Sequence, residues 1–332
     1  MNTPKISIIL PTYNVARFLR KCLDSIAVQT YKNIEVLIII DGATDGSYEI
    51  ARDFAKQDSR FHVFWQENAG SGPARNNGMD RATGEFIMFV DPDDRCENNY
   101  VENLLKLQQE GDYDIVTTSE TIVFFNQKGK IKKTLPLHYQ DVQYKGKQQL
   151  HKNYLTLFSQ GVIHAPHGKI YKTDVIRKYN IRFPNLHRSQ DIVFNYRYYS
   201  HAQSILVSDY SGYIYCVLSK ERIKRVKKDY YKTIALIYND LKNLHKEWRV
   251  FFDKSIASTF LFGSVYTLLE SSTQKKEDIV EIINDATIQE IIENAHPAKK
   301  HLFFVRTLLI HKQYRLAIII VKLVLYIKLM IQ

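Results

Sequence analysis

The chain has 332 residues, a mass of 38.9 kDa and a net charge of +11, and 45% of its residues are hydrophobic while 24% are charged. These values are typical of a globular protein with one large or two modest domains, and they exclude a fully disordered chain or a collagen-like fibre. The wide spacing of Cys22, Cys96 and Cys216 argues against a disulfide framework or a structural zinc site and indicates a reducing compartment.

The positive charge is concentrated toward the C-terminus. The first 219 residues carry a net charge of +3, whereas residues 220–332 carry +8, with seven Lys or Arg between Lys220 and Lys232. A basic tail of this kind indicates contact with an anionic surface. The N-terminus has no basic segment followed by an apolar one, so no signal peptide is predicted.

Short apolar runs alternate with amphipathic segments over the first 120 residues. The apolar runs predict buried strands at Lys5–Leu10, Glu35–Ile40, Phe61–Trp65, Glu85–Val90 and Ile115–Thr118. The amphipathic segments predict helices at Ala16–Val28, Ser47–Lys56 (with Ser47 as N-cap), Gly72–Arg81 and Asn99–Glu110. This alternation predicts an α/β fold with a mostly parallel, Rossmann-like sheet flanked by helices.

The middle of the chain is less regular. The pattern predicts helices at Leu150–Phe158 and Asp191–Ser200, then a short strand pair at Ile205–Val207 and Gly212–Val217. After Ser219 the sequence is typical of successive helices, so we place a domain boundary at 217/218.

Polar turns follow three of the predicted strands. They are Pro11–Asn14 after the first, Asp41-Gly42 after the second and Asp91–Asp94 after the fourth. Because ligands of parallel sheets bind outside the carboxyl ends of the strands, we expect these three turns to face one crevice.

The third of these turns carries Asp91, Asp93 and Asp94 within four residues. Mutual repulsion would raise the pKa values of these carboxyl groups unless a cation neutralises them. Hard divalent cations such as Mg²⁺ or Mn²⁺ suit this set of oxygen ligands. The alternative is a helix N-cap, which would use a single Asp.

A glycine-rich segment, Gly70–Gly78, begins the third predicted helix. Its free N–H groups and the planar fork of Arg75 suit an anion, although a scaffolding role for Arg75 explains this segment equally well. The glycine spacing excludes a dinucleotide fingerprint and a P-loop.

Three segments, which follow one another along the chain, resemble the motifs of a known family. SIILPTYN, DGATDGS and ENAGSGPARNNGMDRATGEFIMFVDPDD resemble the family 2 glycosyltransferases of bacterial surface polysaccharide synthesis, from about residue 5 to 94 and less tightly to about 217. The resemblance implies a GT-A fold that transfers a sugar from a nucleotide-sugar donor with inversion at the anomeric carbon. It implies that Thr12 and Tyr13 lie along the nucleobase, that Asp41 binds the uracil edge and that Arg75 lies near the nucleotide. It also implies that Asp91 and Asp93 form a DXD motif, which binds the ribose and a diphosphate-bound Mn²⁺ or Mg²⁺.

Two later segments extend the resemblance. In HRSQDIVF, Asp191 is implied to be the catalytic base that takes the proton of the acceptor hydroxyl, a role compatible with capping the helix that follows. In HAPHGKIY, Lys169 is implied to approach the donor or the acceptor, whereas His164 and His167 are expected to be hydrogen-bonded scaffolding. Ile40 stands where many members of the family have another Asp.

Together these features predict a GT-A catalytic domain over 1–217, with a nucleotide-binding half at 1–98 and an acceptor half at 99–217, followed by a basic helical region at 218–332. The predicted activity is hexosyltransferase-like and metal-dependent, with a UDP-sugar as donor and a glycan or lipid-linked acceptor. The alternatives are a nucleotidyltransferase and a non-catalytic nucleotide-sugar-binding module.

The apolar segment His301–Gln332 carries five scattered Lys or Arg and no acidic residue. As one helix, it would present an imperfect basic stripe that includes His311, Lys312 and Arg315. This predicts a cytoplasmic protein that lies peripherally on the anionic inner face of the cell membrane. The alternatives are a helix packed on protein and a membrane-spanning helix. No nucleic-acid partner is expected, because no binding motif accompanies the basic run.

Overall fold

The computed structural model describes residues 3–126, 128–186, 188–218, 229–271 and 276–331. The chain divides into two compact units, one formed by Met1–Leu150 with Val162–Lys220 and the other by His151–Gly161 with Glu221–Gln332. Most of the basic run Lys220–Lys232 lies outside the described residues.

The first unit contains one mixed sheet. Its strands are β1 (Ile6–Thr12), β2 (Ile34–Asp41), β3 (Phe61–Gln66), β4 (Phe86–Phe89), β5 (Arg95–Cys96), β6 (Ile115–Phe125), β7 (Ile131–Leu137), β8 (Val142–Lys145), β9 (Lys169–Lys172) and β10 (Ser204–Leu218). Its helices are α1 (Ala16–Ala27), α2 (Ser47–Ala55), α3 (Ser71–Arg81), α4 (Tyr100–Gly111), α6 (Thr173–Lys178) and α7 (Gln190–His201), while α5 (Lys147–Ser159) runs from the first unit into the second.

The sheet has the order β3-β2-β1-β4-β9-β6-β10-β5, and β7 and β8 pair with β6 and β10. The neighbours β3, β2, β1 and β4 are parallel, as are β6 and β10, whereas β9 is antiparallel to both β4 and β6. Every residue of β1 and β2 is buried, as expected of parallel strands that helices cover on both faces. The predicted α/β architecture, a mostly parallel central sheet with flanking helices, is confirmed.

Two details of the prediction are wrong. The strand pair expected at 205–217 is one continuous strand, β10, with irregular register between Ser208 and Tyr213. Ser47 is the first residue of α2 rather than its N-cap, which is Gly46. The hydroxyl of Ser47 instead donates to Asp45 and accepts from the backbone of Val15, so it ties α2 to the start of α1.

The second unit is helical in its described part. After α5 it contains α8 (Tyr230–Glu247), α9 (Lys254–Ser271), α10 (Lys276–Asn284), α11 (Ala286–Asn294), α12 (Lys300–Ile310) and α13 (Tyr314–Ile331). No helix of the described segments combines the length and the apolar character that a membrane crossing requires.

The apolar C-terminal segment is two helices, which corrects the single helix expected from sequence. The backbone turns between α12 and α13, where Lys312 has a φ of 55°. His311 and Lys312 therefore lie in a turn rather than on the polar face of a helix. Arg306 donates to the carbonyl oxygens of Ile292 and Glu293 at the end of α11, so its charge serves packing within this unit.

Candidate active site

The carboxyl ends of β1 and β2 place three of the predicted site residues. Thr12 ends β1 and is buried, and its hydroxyl donates to the carbonyl oxygen of Leu10 at 3.2 Å. Tyr13 follows with 51% of its surface exposed, so its ring is accessible to a ligand. Asp41 ends β2 and is 2% exposed.

Asp41 holds the segment that leads into α3 through hydrogen bonds. Its Oδ1 accepts from the side chain of Gln66 and the backbone N–H of Ala69, both at 2.8 Å, and its Oδ2 accepts from the N–H of Gly70 at 2.9 Å. These contacts fix the loop before the glycine-rich helix. The uracil-edge role of Asp41 stays a prediction beside this structural role.

Two glycines of α3 allow close packing against the elements on either side. A Cβ added to Gly78 would lie 2.4 Å from the Cγ2 of Ile9 on β1, and one added to Gly72 would lie 2.2 Å from the Oε1 of Gln190 at the start of α7. A larger residue at position 78 would press against the buried Ile9, whereas at position 72 the flexible end of Gln190 would have to move aside. The small residues of α3 thus bring Arg75 close to the N-terminus of α7.

Arg75 joins two acidic side chains that are distant in sequence. Its Nη2 donates to Oδ1 of Asp91 at 2.7 Å, and its Nη1 donates to Oδ1 of Asp191 at 2.8 Å. The residue is 4% exposed, and its guanidinium lies 5.3 Å from the centre of the Phe183 ring. Burial opposes the charge, but Asp191 and Asp91 raise the pKa of Arg75 above its ordinary value.

The two carboxylates that Arg75 joins have opposite pKa shifts. Burial raises the pKa of Asp191, and the charge of Asp91 adds to this, while Arg75 offsets part of it. For Asp91, burial acts in the same direction, but Arg75 and His167 outweigh it and hold the pKa well below its usual range. Environments that separate the pKa values of neighbouring carboxyl groups are typical of acid–base sites.

Sequence reasoning missed that His167 and Glu120 belong to this cluster. His167 approaches Oδ2 of Asp91 with Nδ1 at 3.3 Å and Oε2 of Glu120 with Nε2 at 3.0 Å. Burial opposes the imidazolium, but the hydrogen bonds to both carboxylates raise the pKa of His167 to about 10. The available signal was one acidic residue, Glu120, in the otherwise uncharged strand IVTTSETIVFF.

A family model described as "Glycosyl transferase family 2" matches residues 7–179. The chain belongs to this family.

Relatives and solved structures agree with this membership. EpsH of Bacillus subtilis strain 168, described as a glycosyltransferase, is 31% identical over 242 residues, which cover 72% of this chain and 68% of EpsH. TarS 1–349 of S. aureus in complex with UDP-GlcNAc has a TM-score of 0.67 at 20% identity, covering 96% of this chain and 90% of that one. A mannosyltransferase of Pyrobaculum calidifontis in complex with GDP-Man and Mn²⁺ has a TM-score of 0.51 at 16% identity, covering 97% and 88%. The GT-A fold predicted from sequence is confirmed.

In this family 2 glycosyltransferase the acidic turn after β4 holds three carboxylates in different surroundings. Asp94 is fully buried and accepts from the hydroxyl of Tyr213 at 2.6 Å and from the backbone N–H of Cys216 at 2.7 Å. Burial, with the charge of Asp91, raises its pKa well above the ordinary value. Asp94 therefore anchors β10 to the turn, and Asp93 beside it is half-buried.

The side chains around this turn are chemically suited to a divalent cation. Ligand atoms of Asp91, Asp94 and His167 lie within 4.8 Å of one another, and within the described ranges this is the group that could surround an ion. The carboxylate oxygens fit Mg²⁺ or Mn²⁺. Both nitrogens of His167 are already directed at carboxylates, which favours oxygen ligation by the aspartates. Asp93, predicted as a metal ligand, is not part of that group.

Lys169 lies inside the protein at the start of β9. It is 3% exposed, and its Nζ donates to the carbonyl oxygen of Ala165 at 2.7 Å and contacts that of His167 at 3.4 Å. Burial lowers the pKa of Lys169 to about 7, against the attraction of Glu120 and Asp191. Its contacts are therefore with the loop that carries His167, and a contact with donor or acceptor stays a prediction.

Proposed function

We propose that this protein transfers a sugar from a UDP-sugar to a glycan or lipid-linked acceptor in bacterial surface polysaccharide synthesis, with inversion at the anomeric carbon. The observation that carries the proposal is the bridge from Asp91 through Arg75 to Asp191. It unites the acidic turn after β4, where the donor diphosphate is expected, with a carboxylate of raised pKa at the start of α7.

Asp191 acts as the general base in a single in-line displacement. It accepts the proton of the acceptor hydroxyl, a task that favours a carboxylate whose pKa lies above the ordinary value. Arg75 orients that carboxylate through the 2.8 Å hydrogen bond. Asp91 and Asp93 are the pair that the DXD resemblance assigns to a divalent cation, although Asp93 lies outside the group of Asp91, Asp94 and His167. A cation held there would supply charge stabilisation to the departing nucleoside diphosphate.

The UDP preference rests on two arguments. Tyr13 is exposed beside the buried Thr12 and Asp41, which gives a nucleobase an accessible ring at this edge of the sheet. TarS, which shares the fold across 96% of this chain, is described in complex with UDP-GlcNAc. The donor sugar is determined by residues outside these motifs.

The test is a screen of nucleotide-sugars with product detection. Released UDP and a glycosylated acceptor of inverted configuration support the proposal, and Asp191→Asn should abolish both products. Asp24→Asn, at an exposed position on α1, is the control and should leave turnover unchanged. Retained configuration contradicts the mechanism, pyrophosphate release indicates nucleotidyl transfer, and no product with any donor indicates a binding module.

The metal is tested separately. Asp93→Asn, or EDTA on the wild-type protein, should reduce turnover by roughly three decades, because the charge stabilisation of the leaving group is worth several kcal/mol. Added Mn²⁺ or Mg²⁺ should restore the EDTA-treated protein. Full activity in excess EDTA contradicts metal dependence.

We also propose that α12 and α13 hold the enzyme on an anionic membrane surface at the cytoplasmic face. Large apolar side chains are exposed along both helices, namely Phe303, Phe304, Ile310, Leu316, Ile319 and Leu323. Arg315 and Lys322 are exposed beside them on α13. An apolar face flanked by cations suits an anionic leaflet, to which each Lys or Arg contributes about 1 kcal/mol.

Vesicle sedimentation with the full chain tests this proposal. The paired variant Leu316→Ser with Ile319→Ser should lose binding to vesicles that contain phosphatidylserine, whereas Phe251→Ser, an exposed apolar residue of the same unit, should not. Binding should weaken with salt, because the Debye length falls to about 8 Å at physiological ionic strength. If the wild-type chain ignores these vesicles at low salt, the exposed face packs on protein instead.

A further inference from the structure

Five charged side chains form one continuous series of alternating sign. From Asp191 the hydrogen bonds run to Arg75, then to Asp91, then to His167 and finally to Glu120. The first three residues belong to the proposed reaction site. The resemblance implies no site role for the last two residues, which extend the series to β6.

The His167 ring is held on several sides. Its plane is parallel to that of Tyr213 within 1°, with the ring centres 4.7 Å apart, and the Tyr215 ring lies 5.5 Å away. The next residue, Gly168, has a φ of 69°, and its carbonyl oxygen accepts from the backbone N–H of Thr118 at 2.9 Å. His167 is 8% exposed, so its orientation is determined by the fold rather than by solvent.

Asp91 is consequently restrained through both of its oxygens. Oδ1 accepts from Arg75 at 2.7 Å, and Oδ2 faces His167 at 3.3 Å. Without His167, the carboxylate could rotate about its last side-chain bond while keeping one hydrogen bond to Arg75. A rotated Asp91 would also change the position of Arg75, which orients Asp191 from its other end.

We propose that His167 and Glu120 are positioning residues of the transfer reaction: His167 holds the Asp91 carboxylate in its orientation, and Glu120 holds the His167 ring. The inference rests on the proposed function, because it assigns these residues to the same site. In this proposal neither residue contacts the reacting atoms. Their contribution is the placement of Asp91, and a misplacement of about 1 Å can cost roughly 100-fold in rate.

Isosteric variants separate the two hydrogen bonds of the ring. His167→Asn places an amide donor near the position of Nδ1 and should keep the contact with Asp91, whereas His167→Gln places its donor near Nε2 and should lose it. We expect kcat to fall about 100-fold in His167→Gln and clearly less in His167→Asn. Glu120→Gln, which keeps an acceptor but removes the charge, should fall between them. His62→Gln, at an exposed position on β3, is the control.

A double-mutant cycle with Asp91→Asn distinguishes positioning from a general structural role. If His167 acts through Asp91, His167→Gln should have little further effect on kcat/KM in the Asp91→Asn background. Equal effects of His167→Gln in both backgrounds would overturn the inference, as would equal kcat values for the Asn and Gln variants. If no nucleotide-sugar is turned over by the wild type, the proposed function fails by itself. The same cycle, measured by urea unfolding, then tests whether positions 167 and 91 are coupled, and additive effects again overturn the inference.

Discussion

Replacing Arg75 perturbs both ends of the site at once. In Arg75→Lys the ammonium can reach one carboxylate, so one charge-assisted hydrogen bond, worth about 1.5–3 kcal/mol, is lost. In Arg75→Met both bonds are lost, and Asp91 and Asp191 remain without the cation between them. Removing one partner of a buried ion pair typically destabilises a protein by about 3–5 kcal/mol. The carboxylate side chains are 24% and 35% exposed, so water can compensate in part and the lower values apply.

Thermal unfolding measures this change. A loss of about 2 kcal/mol in Arg75→Lys should lower Tm by about 4–8 °C in a unit of this size, and Arg75→Met should lower it further. Donor turnover should fall about 100-fold or more in both variants, because no single cation then holds Asp91 and Asp191 in their relative positions. Arg81→Lys, on the exposed side of the same helix, should change the free energy of unfolding by less than about 0.5 kcal/mol. An Arg75→Lys variant with wild-type Tm and wild-type turnover would refute the bridging role.

Three further changes test other parts of the site. The acid limb of the kcat/KM profile should lie above the pKa of about 3.9 of a free aspartate, because protonated Asp191 cannot accept a proton, and a limb at or below that value contradicts the assignment. Lys169 has a folded-state pKa of about 7 against 10.5, so the unfolded chain binds more protons between these values. Stability to urea should therefore rise from pH 7 to 9.5 more in the wild type than in Lys169→Met, and parallel pH dependences would argue against the buried amine. Gly78→Ala should destabilise the protein by about 1–3 kcal/mol through the clash with Ile9, whereas Gly263→Ala, whose Cβ meets no described atom within 4 Å, should not.

The strands that could be predicted are those whose residues are uniformly apolar. The runs that became β1 and β2 are buried on both faces, so burial alone specifies them. The strand β6 extends seven residues beyond the predicted end at Thr118, through a stretch where Ser119 and Glu120 interrupt the apolar pattern. β9, with the sequence KIYK, has two lysines in four residues and carries no recognisable strand signal.

For the site, too, the sequence predicted individual residues but not the contacts between them. The family motifs identified Arg75, Asp91 and Asp191, but not that a single guanidinium joins the other two. The pair His167 and Glu120 is separated by 47 residues and meets only because β9 lies next to β6. Contacts of this kind depend on the order of strands in the sheet, which local sequence does not encode.

The position of β9 has a consequence for synthesis on the ribosome. β4 ends at Phe89, and it is the edge strand of the parallel part of the sheet until β9 pairs with it. β9 is Lys169–Lys172, so it is synthesised much later. During elongation, about eighty further residues must therefore be synthesised before the backbone groups on the free edge of β4 (FIMF) can pair with β9. At about 5–20 residues per second, that interval lasts several seconds at least, during which unpaired edges of nascent chains can associate. Slow translation between these segments should thus increase the demand of this protein for chaperones that shield nascent chains.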